Sequence, residues 1–181
     1  ALTDDPQSTR AWATGARGEE KLAAALDGIP GLRVLHDRRV PRSPANIDHI
    51  VIAPAGAFVV DAKNLRGRIE IRNRGGLFRT DHRLYVGRRD CSALVTGLGW
   101  QVDAVTAALA AAGVDPLPRV TPVLCFIDGE WPLFGAPDEY AGVRLAGTGS
   151  IRKLVATPDV LDPPSIERLT RVLAAALPAK S

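Results

Sequence analysis

Two aspartates and a lysine between Asn46 and Asn64 are the residues of this chain whose types and spacing could do chemistry. Asp48 lies near the start of one apolar run, and Asp61 and Lys63 form an Asp-x-Lys triplet at the end of the next. Carboxylate oxygens suit Mg²⁺, which takes one or two carboxylates and keeps several waters. A neighbouring ammonium can hold a phosphate oxygen or orient an attacking water. This pattern suggests metal-dependent hydrolysis of phosphodiesters.

A β-hairpin would bring these three side chains together. β-Branched and aromatic residues dominate residues 47–52 and 57–62, and the four residues between them contain the Pro and Gly of a turn. Because side chains alternate along a strand, Asp48, Asp61 and Lys63 are predicted on one face of the sheet. Symmetric pairing about the turn predicts three opposed pairs: Ile52 with Ala57, Ile50 with Val59, and Asp48 with Asp61.

The triplet also has a simpler interpretation. Lys63 could form only a salt bridge with Asp48 or Asp61 on a solvated sheet face, since short motifs often match by chance. Two carboxylates directly opposite each other, however, resist joint ionisation unless a cation lies between them. A divalent ion would remove that repulsion.

A further carboxylate is predicted on a helix that precedes the hairpin. Residues 11–29 have helical periodicity, and Glu19 lies three residues before Leu22 and seven before Leu26, on the face predicted to enter the core. Glu20 lies off that face. A buried carboxylate is costly unless it is paired or binds metal, so Glu19 is the better functional candidate. The alternative is a glutamate at the helix edge that reaches solvent or pairs with an arginine.

Several motifs in a fixed order resemble one known family. They are Gly15-Ala16-Arg17-Gly18-Glu19, then Asn46-Ile47-Asp48-His49-Ile50, then Val59-Val60-Asp61-Ala62-Lys63-Asn64 with Gly67 shortly after. This set resembles the NERD, or nuclease-related, domain, a family grouped with the PD-(D/E)xK nucleases. The resemblance continues through Trp100-Gln101 and the run 123–127, so it covers roughly residues 12 to 130.

The resemblance implies a metal site for Mg²⁺ or Mn²⁺. Asp48 would be the main metal-binding aspartate and Asp61 the variable acid of the (D/E)xK motif. The backbone carbonyl of Ala62 would be an additional ligand. Glu19 would be the acidic residue of the helix.

Two further residues acquire catalytic roles from the same resemblance. Lys63 would be the lysine of the (D/E)xK motif, and Gln101 resembles a glutamine that supports the active site in some relatives. Leu98 and Val105 place Gln101 on the apolar stripe of a predicted helix. The alternative for Gln101 is a polar residue that faces solvent.

The order of predicted elements fits an α/β fold with a restriction-endonuclease-like core, in which a mixed central sheet of antiparallel hairpin strands plus a parallel strand is flanked by helices. We predict a flexible N-terminus over residues 1–10 and a single domain over 11–181, with residues 131–181 adding a strand and helices to the core. The other predicted elements are strands at 68–71, 77–80, 84–86, 120–127 and 143–145, and helices over 92–113, after Ser150 and over 162–177.

Basic residues are concentrated beside the proposed site. Residues 61–90 contain nine Lys or Arg against four acids, a local balance of +5 in a chain whose net charge is +3. Alternating arginines on one sheet face suit phosphate contacts, so Arg66, Arg68, Arg72 and Arg74 are predicted to bind nucleic acid. The alternative is the solvated face of an antiparallel sheet. Aromatic residues make up only 5% of the chain, which gives weak support to base stacking by Phe78 or Tyr85.

The resemblance favours DNA over RNA as the substrate of a metal-dependent nuclease. The alternative function is a nucleic-acid-binding or scaffold domain that keeps the fold without useful turnover. A third hypothesis, a protein-interaction module, rests on the apolar segment 131–134, which we expect to pack on its own domain. The sequence leaves the oligomeric state open.

Other chemistries have less support. The sequence contains no P-loop, dinucleotide-binding glycine motif or nucleophile-elbow serine. Cys91 and Cys125 lack the spacing of a zinc site, and a disulfide between them is left open. His49 is predicted to pack behind the sheet, and His36 to lie at a strand end. The sequence has no signal peptide and no apolar run long enough to span a membrane, which predicts a cytoplasmic protein without a membrane partner.

Overall fold

A six-stranded mixed sheet with helices on both faces organises the protein. The computed structural model describes residues 17–26, 28–44, 46–76, 78–157 and 160–180. The predicted flexible segment 1–10, the start of the first helix and Leu77 lie outside the described residues. The α/β fold class is confirmed, because the sheet contains both antiparallel and parallel strand pairs.

Four α-helices and a 3₁₀ turn lie within the described residues. Helix α1 is described over residues 17–26. The 3₁₀ turn Ser92–Val95 leads directly into α2, and α3 follows the last strand. The bounds of the other helices are α2 Thr96–Ala111, α3 Thr148–Ala156 and α4 Pro163–Ala176.

Ten strands form two sheets in the described part of the chain. Strands β1–β3, β7, β10 and β9 form the large sheet in the order β1-β2-β3-β7-β10-β9, and β4–β6 with β8 form a smaller one in the order β6-β5-β4-β8. The bounds are β1 Arg33–Arg39, β2 Asn46–Ala53, β3 Gly56–Lys63, β4 Gly67–Asn73, β5 His82–Val86, β6 Arg89–Asp90, β7 Val120–Phe126, β8 Gly129–Glu130, β9 Glu139–Tyr140 and β10 Val143–Ala146.

The β2–β3 hairpin forms two of the three pairs predicted from the sequence, because its pairing ends at His49–Val60, before Asp48 and Asp61. Ile52 pairs with Ala57 and Ile50 with Val59, and both pairs are antiparallel. Strand β7 follows helix α2 and lies parallel to β3, as predicted for a strand reached through a helix. The order of helix, antiparallel strands, helix and parallel strand is therefore confirmed.

Each face of the large sheet is covered by two helices, which explains its near-continuous apolar strands. On the first face, residues of β2 and β3 such as Ile50 and Val59 pack in one buried cluster with α2 and α4. On the second face, Val51 and Val60 pack in another cluster with α1 and α3. Strands buried on both sides lose the apolar–polar alternation of a half-exposed sheet.

The predicted strand at 77–80 was wrong, because its described residues 78–80 are not in a strand. Strand β4 pairs with β5 at His82–Val86, and residues 78–80 belong to the loop between them. The longer loop is stabilised by Asn73, whose side-chain oxygen accepts hydrogen bonds from the N–H groups of Gly75 (2.9 Å) and Asp81 (3.0 Å). The Gly75-Gly76 signal correctly indicates a loop, but the loop is longer than predicted.

The predicted start of α4 is confirmed, whereas the predicted roles of Ser92 and Ser150 at helix starts are not. Asp162 caps α4 by accepting a hydrogen bond from the Ser165 N–H at 2.9 Å, as Asp before Pro predicts. Ser92 starts the 3₁₀ turn instead of capping an α-helix, and its hydroxyl accepts from the Leu84 N–H at 3.0 Å. Ser150 lies inside α3, where its hydroxyl accepts from the Gly147 N–H at 2.9 Å.

One expectation about membrane spans was wrong. By length and composition alone, the helical segment Ser92–Ala111 would be long and apolar enough to cross a membrane. In the structure this segment contributes Leu98, Val105 and Leu109 to the core on the first face of the large sheet.

Candidate active site

The proposed catalytic side chains lie where β2 and β3 stop pairing with each other. Their register runs from Ala53–Gly56 to His49–Val60 and ends there, so the predicted pairing of Asp48 with Asp61 is not formed, and each of the two residues lies one position beyond the last pair. Beyond that point β2 stays paired with β1. Over the same stretch β3 stays paired with β7 through Asp61, Ala62 and Lys63. The strand that carries each aspartate is thus held by its other neighbour, β1 for β2 and β7 for β3.

Asp61 has a raised pKa and a largely buried side chain. Its side chain is 14% exposed, and the Lys63 ammonium donates a hydrogen bond to it at 2.5 Å. Burial raises the pKa of Asp61 above its usual value, and the charge of Asp48 adds to that rise, whereas Lys63 opposes it. The predicted convergence of Asp48, Asp61 and Lys63 on one side of the hairpin is therefore supported by geometry and electrostatics.

The raised pKa predicts that replacing Asp61 with Asn stabilises the metal-free protein at neutral pH. Between the ordinary aspartate pKa and the raised one, the folded protein binds more protons than the unfolded chain, so the free energy of unfolding falls as pH rises. Asn avoids that loss. We expect Asp61→Asn to have the higher Tm at pH 7, by roughly 2–4 °C for each kcal/mol gained, and the difference to narrow towards about pH 4.

Thermal melts in chelator at several pH values test this expectation. Asp103→Asn, at an exposed position in α2, is the matched control and is expected to change Tm little. A lower Tm for Asp61→Asn than for the wild type across the whole pH range would contradict the expectation. That result would mean that the Lys63 contact outweighs the cost of burial.

Glu19 is exposed, so its predicted burial was wrong. Helix α1 turns Gly18, Leu22 and Leu26 inward, and Glu19 follows Gly18 by one residue, or about 100° around the helix. Leu22 and Leu26 also pack on the second face of the sheet. Asp61 and Lys63 share their strand face with Val59, which packs on the first. The catalytic role of Glu19 stays a prediction.

The first described turn of helix α1 nevertheless lies beside the carboxyl end of β3. A Cβ placed on Gly18 would lie 3.3 Å from the Cβ of Asn64, the residue after Lys63. Lys21 forms an ion pair with Asp128, just beyond the end of β7. Gly18 thus permits a close approach, and Glu19 lies at the same edge of the sheet as Lys63.

Asp128 was not singled out from the sequence, although it lies at this edge. The residue before it, Ile127, donates its backbone N–H to the Lys63 carbonyl at 3.0 Å. A carboxylate directly after a buried apolar strand was the signal that could have found it, since the carboxyl ends of adjacent parallel strands meet. Its ion pair with Lys21 connects helix α1 to the edge of the large sheet at which β3 and β7 end.

Gln101 lies on the inward side of α2. It is half-buried, between the fully buried Leu98 and Val105, which pack on the same sheet face that carries Asp61. The prediction that Gln101 shares the apolar stripe of its helix is confirmed. Its support of the active site stays a prediction.

The donor set fits a hard divalent ion through two carboxylates. Asp48 and Asp61 supply oxygen ligands at the open end of the hairpin, and Mg²⁺ takes one or two carboxylates while keeping waters. Among the described residues, no group of three or more His, Cys, Asp or Glu side chains converges on a metal position. Glu19 therefore does not join the aspartates in the arrangement described.

Two histidines lie behind the site. His49 is 5% exposed, and its Nδ1 lies 3.0 Å from Nδ1 of His36 on the neighbouring strand. Burial lowers the pKa of His49, and the nearby His36 lowers it further. The prediction that His49 packs behind the sheet is confirmed, whereas His36 lies in the middle of β1 and not at a strand end.

The predicted phosphate-binding arginines fall into two groups. Arg66, Arg68 and Arg74 are exposed. Arg72 forms an ion pair with Glu70, donates to the Gly87 carbonyl at 2.7 Å and stacks over Tyr85 at 4.3 Å. Arg72 therefore stabilises the smaller sheet, because its alternation places Glu70 beside it. Its phosphate-binding role stays a prediction.

The structure also answers two questions that the sequence raised, whether the segment 131–134 packs on its own domain and whether the two cysteines form a disulfide. Leu133 and Phe134 are 89% and 87% exposed, so the segment 131–134 does not pack on its own domain at these two positions. Cys91 and Cys125 are both buried and free, and burial raises the pKa of Cys125 to about 12. No disulfide joins these two residues.

One of three comparisons with known proteins found a match. The family model described as the nuclease-related domain, NERD, matches residues 14–127, which is more than half of the chain and includes Glu19, Asp48, Asp61, Lys63 and Gln101. No curated protein and no solved structure matched the chain. Because the match spans the hairpin, helix α2 and strand β7, the chain belongs to the nuclease-related domain family.

Proposed function

We propose that the protein is a metal-dependent nuclease that hydrolyses phosphodiester bonds and prefers DNA to RNA. The observation that carries the proposal is Asp61, a largely buried carboxylate just beyond the last pair of the hairpin, which is hydrogen-bonded to Lys63 and lies close enough to Asp48 for that charge to raise its pKa. Perturbed carboxylates cluster at functional sites. Membership of a nuclease-related family supports the same reaction class.

In this proposal the chain's own residues hold the metal and position the water. Asp48, Asp61 and the Ala62 carbonyl would bind Mg²⁺ or Mn²⁺, and Glu19 would lie beside them at the sheet edge. The bound ion would lower the pKa of a water and polarise the scissile phosphate. The Lys63 ammonium has three N–H donors and gives one to Asp61, which leaves two for the attacking water or a phosphate oxygen.

Gln101 and the arginines complete the proposed arrangement. Gln101 approaches the same sheet face from α2 and would position groups around the metal. Arg66 and Arg68 lie at the start of β4, a few residues after Lys63, and are exposed to a phosphate backbone. Electrostatic stabilisation of the developing charge on phosphate would then come mainly from Lys63 and the bound ion.

The direct test is cleavage of labelled duplex DNA, single-stranded DNA and RNA by the purified protein. We expect cleavage with Mg²⁺ or Mn²⁺ and none with a chelator. DNA should be cut faster than RNA. Absence of cleavage of all three substrates with either metal would contradict the proposal.

Arginine substitutions should weaken nucleic-acid binding independently of cleavage. Replacing Arg66, Arg68 or Arg74 with Ala removes an exposed cation, so the log–log slope of DNA affinity against salt should fall by about one for each phosphate that is no longer neutralised. Fluorescence anisotropy at several salt concentrations measures this slope. Arg83→Ala is the matched control, because Arg83 is already paired with Asp81 and Asp90. An unchanged slope in all three variants would exclude these arginines from the interface.

The exposure of Glu19 favours a second candidate, a nucleic-acid-binding domain without turnover. A site with only two converging carboxylates among the described residues would bind metal weakly while the basic surface still bound DNA. This alternative predicts that the arginine variants lose DNA binding while the wild type shows no metal-dependent cleavage. Mn²⁺-dependent cleavage that is lost in Lys63→Ala would reject it.

A further inference from the structure

The loop between β4 and β5 exposes a phenylalanine completely. Phe78 has no burial against the described residues, although large apolar side chains gain free energy when they leave water. The proposed catalytic chemistry at Lys63 makes no use of this residue. An apolar ring presented this way at a loop tip points to a partner that covers it.

The loop that carries Phe78 has a defined backbone. Asn73 accepts hydrogen bonds from the N–H groups of both Gly75 and Asp81, and the Arg74 N–H donates to the Asp81 carbonyl at 2.7 Å. A Cβ on Gly75 would lie only 1.7 Å from the Arg79 carbonyl oxygen, so only glycine fits there. These contacts fix the two ends of the loop that carries Phe78.

Positive charge surrounds the exposed ring. Arg74 and Arg79 flank it in the loop, and both are exposed. Within the described part of the chain neither forms an ion pair, and the nearby Asp81 is paired with Arg83. A partner that matches this surface carries both negative charge and flat apolar faces, as phosphates and bases of a nucleic acid do.

The ring favours unpaired bases over a duplex. A paired base has both faces covered by its neighbours, so a side chain must first unstack it, which costs free energy. A base in a single strand offers its face without that cost. Tyr85 cannot substitute for Phe78, because Arg72 already lies over its ring at 4.3 Å.

The length of β4, the strand between Lys63 and the loop of Phe78, gives a scale for the separation of the loop from the site. Gly67 lies four residues after Lys63, and β4 extends from Gly67 to Asn73. Six steps at about 3.3 Å give a strand of roughly 20 Å. At about 3.4 Å per nucleotide along one strand, this length corresponds to about six nucleotides.

We propose that Phe78 stacks on an unpaired base of a single strand whose backbone follows Arg66, Arg68 and Arg74, the exposed arginines in and beside β4, from the catalytic site. The proposal rests on the nuclease function only for the identity of the partner as nucleic acid. It assigns the substrate class as single-stranded DNA or duplexes with single-stranded ends of at least about six nucleotides.

Binding assays without cleavage test the proposal separately from the nuclease function. Fluorescence anisotropy in chelator compares wild type, Phe78→Ala and Phe78→Trp on a single strand of about 12 nucleotides, a single strand of about 4 nucleotides and a blunt duplex. We expect Phe78→Ala to bind the longer strand roughly 5- to 30-fold more weakly and Phe78→Trp to restore binding. Binding of the short strand and the duplex should change little.

A second exposed phenylalanine provides the control. Phe134→Ala removes a ring that is 87% exposed but lies outside the basic block, so it should bind all three probes like the wild type. The proposal is overturned if wild type does not bind the longer strand, if Phe78→Ala binds it normally, or if Phe134→Ala loses as much affinity. A protein partner for Phe78 would give the second of these results. Loss of cleavage with Phe78-dependent binding intact would instead reject only the nuclease function.

Discussion

Replacing Lys63 with Ala is expected to lower the rate of metal-dependent DNA cleavage by about 10²- to 10³-fold. The Lys63 ammonium lies 2.5 Å from Asp61 and is one-third exposed, so it can contact both the buried carboxylate and a substrate phosphate. Alanine would remove the charge that opposes negative charge in the transition state. Cleavage of a labelled oligonucleotide at saturating Mn²⁺ measures the effect.

The same substitution has a second consequence that must be separated from catalysis. Lys63 lowers the pKa of Asp61, so its removal lets burial raise that pKa further and weakens metal binding. A titration of activity against Mn²⁺ distinguishes the two effects. Lys63→Ala should need more Mn²⁺ and should remain slow even at saturation, whereas Asp48→Asn should mainly shift the Mn²⁺ requirement upwards.

Lys153→Ala is the matched control for Lys63→Ala. Lys153 is an exposed lysine of α3, outside the hairpin and the basic block, and its loss should leave the cleavage rate unchanged. Equal rates for wild type and Lys63→Ala would show that the observed cleavage does not take place at this hairpin. The assignment of Asp48, Asp61 and Lys63 would then fail.

Replacing Gly67 with Ala is expected to cost about 2–4 kcal/mol of folding free energy. Gly67 has a φ of +125°, which side-chain-bearing residues rarely adopt. A Cβ there would also lie 2.8 Å from the Cα of Gly87 and 2.9 Å from its nitrogen. Since both obstacles are backbone, the clash cannot be relieved by a rotamer change. Thermal melts should show a Tm lower by roughly 5–15 °C.

Gly76→Ala separates this effect from the general cost of replacing glycine. Nothing lies within 4 Å of a Cβ at Gly76, so that variant should melt close to the wild type. Gly67 joins the segment after Lys63 to the smaller sheet, where it pairs with Gly129. The Gly67 variant should therefore also bind DNA more weakly. A Tm equal to that of Gly76→Ala would show that the β4–β5 sheet can shift at little cost.

The sequence predicted those parts of the site that depend on local patterns. The turn between β2 and β3 is marked by Pro54 and Gly56, and the alternation of side chains follows from strand geometry alone. Together they placed Asp48, Asp61 and Lys63 on one face. The sequence also located α2 and the buried parallel strand β7, because their apolar patterns are long and continuous.

Sequence patterns did not predict the contacts of side chains that bond to more distant parts of the chain. Arg72 was expected to face phosphate, but Glu70, Tyr85 and the Gly87 carbonyl occupy its guanidinium. Ser92 looked like a helix cap, but its hydroxyl bonds to the Leu84 N–H of a neighbouring strand. Glu70 lies in the same strand as Arg72, but Tyr85, the Gly87 carbonyl and the Leu84 N–H come from other segments, whose positions the local pattern does not specify.

The sequence by itself therefore determined the hairpin register, the family and the identities of the candidate catalytic residues. Only the tertiary structure decided the rotation of α1, which is set by the close approach of Gly18 to Asn64 and leaves Glu19 exposed. It also decided that Phe78 projects from a structured loop. Alternation and turns act between near neighbours, whereas helix rotation and loop exposure depend on packing between segments far apart in the chain.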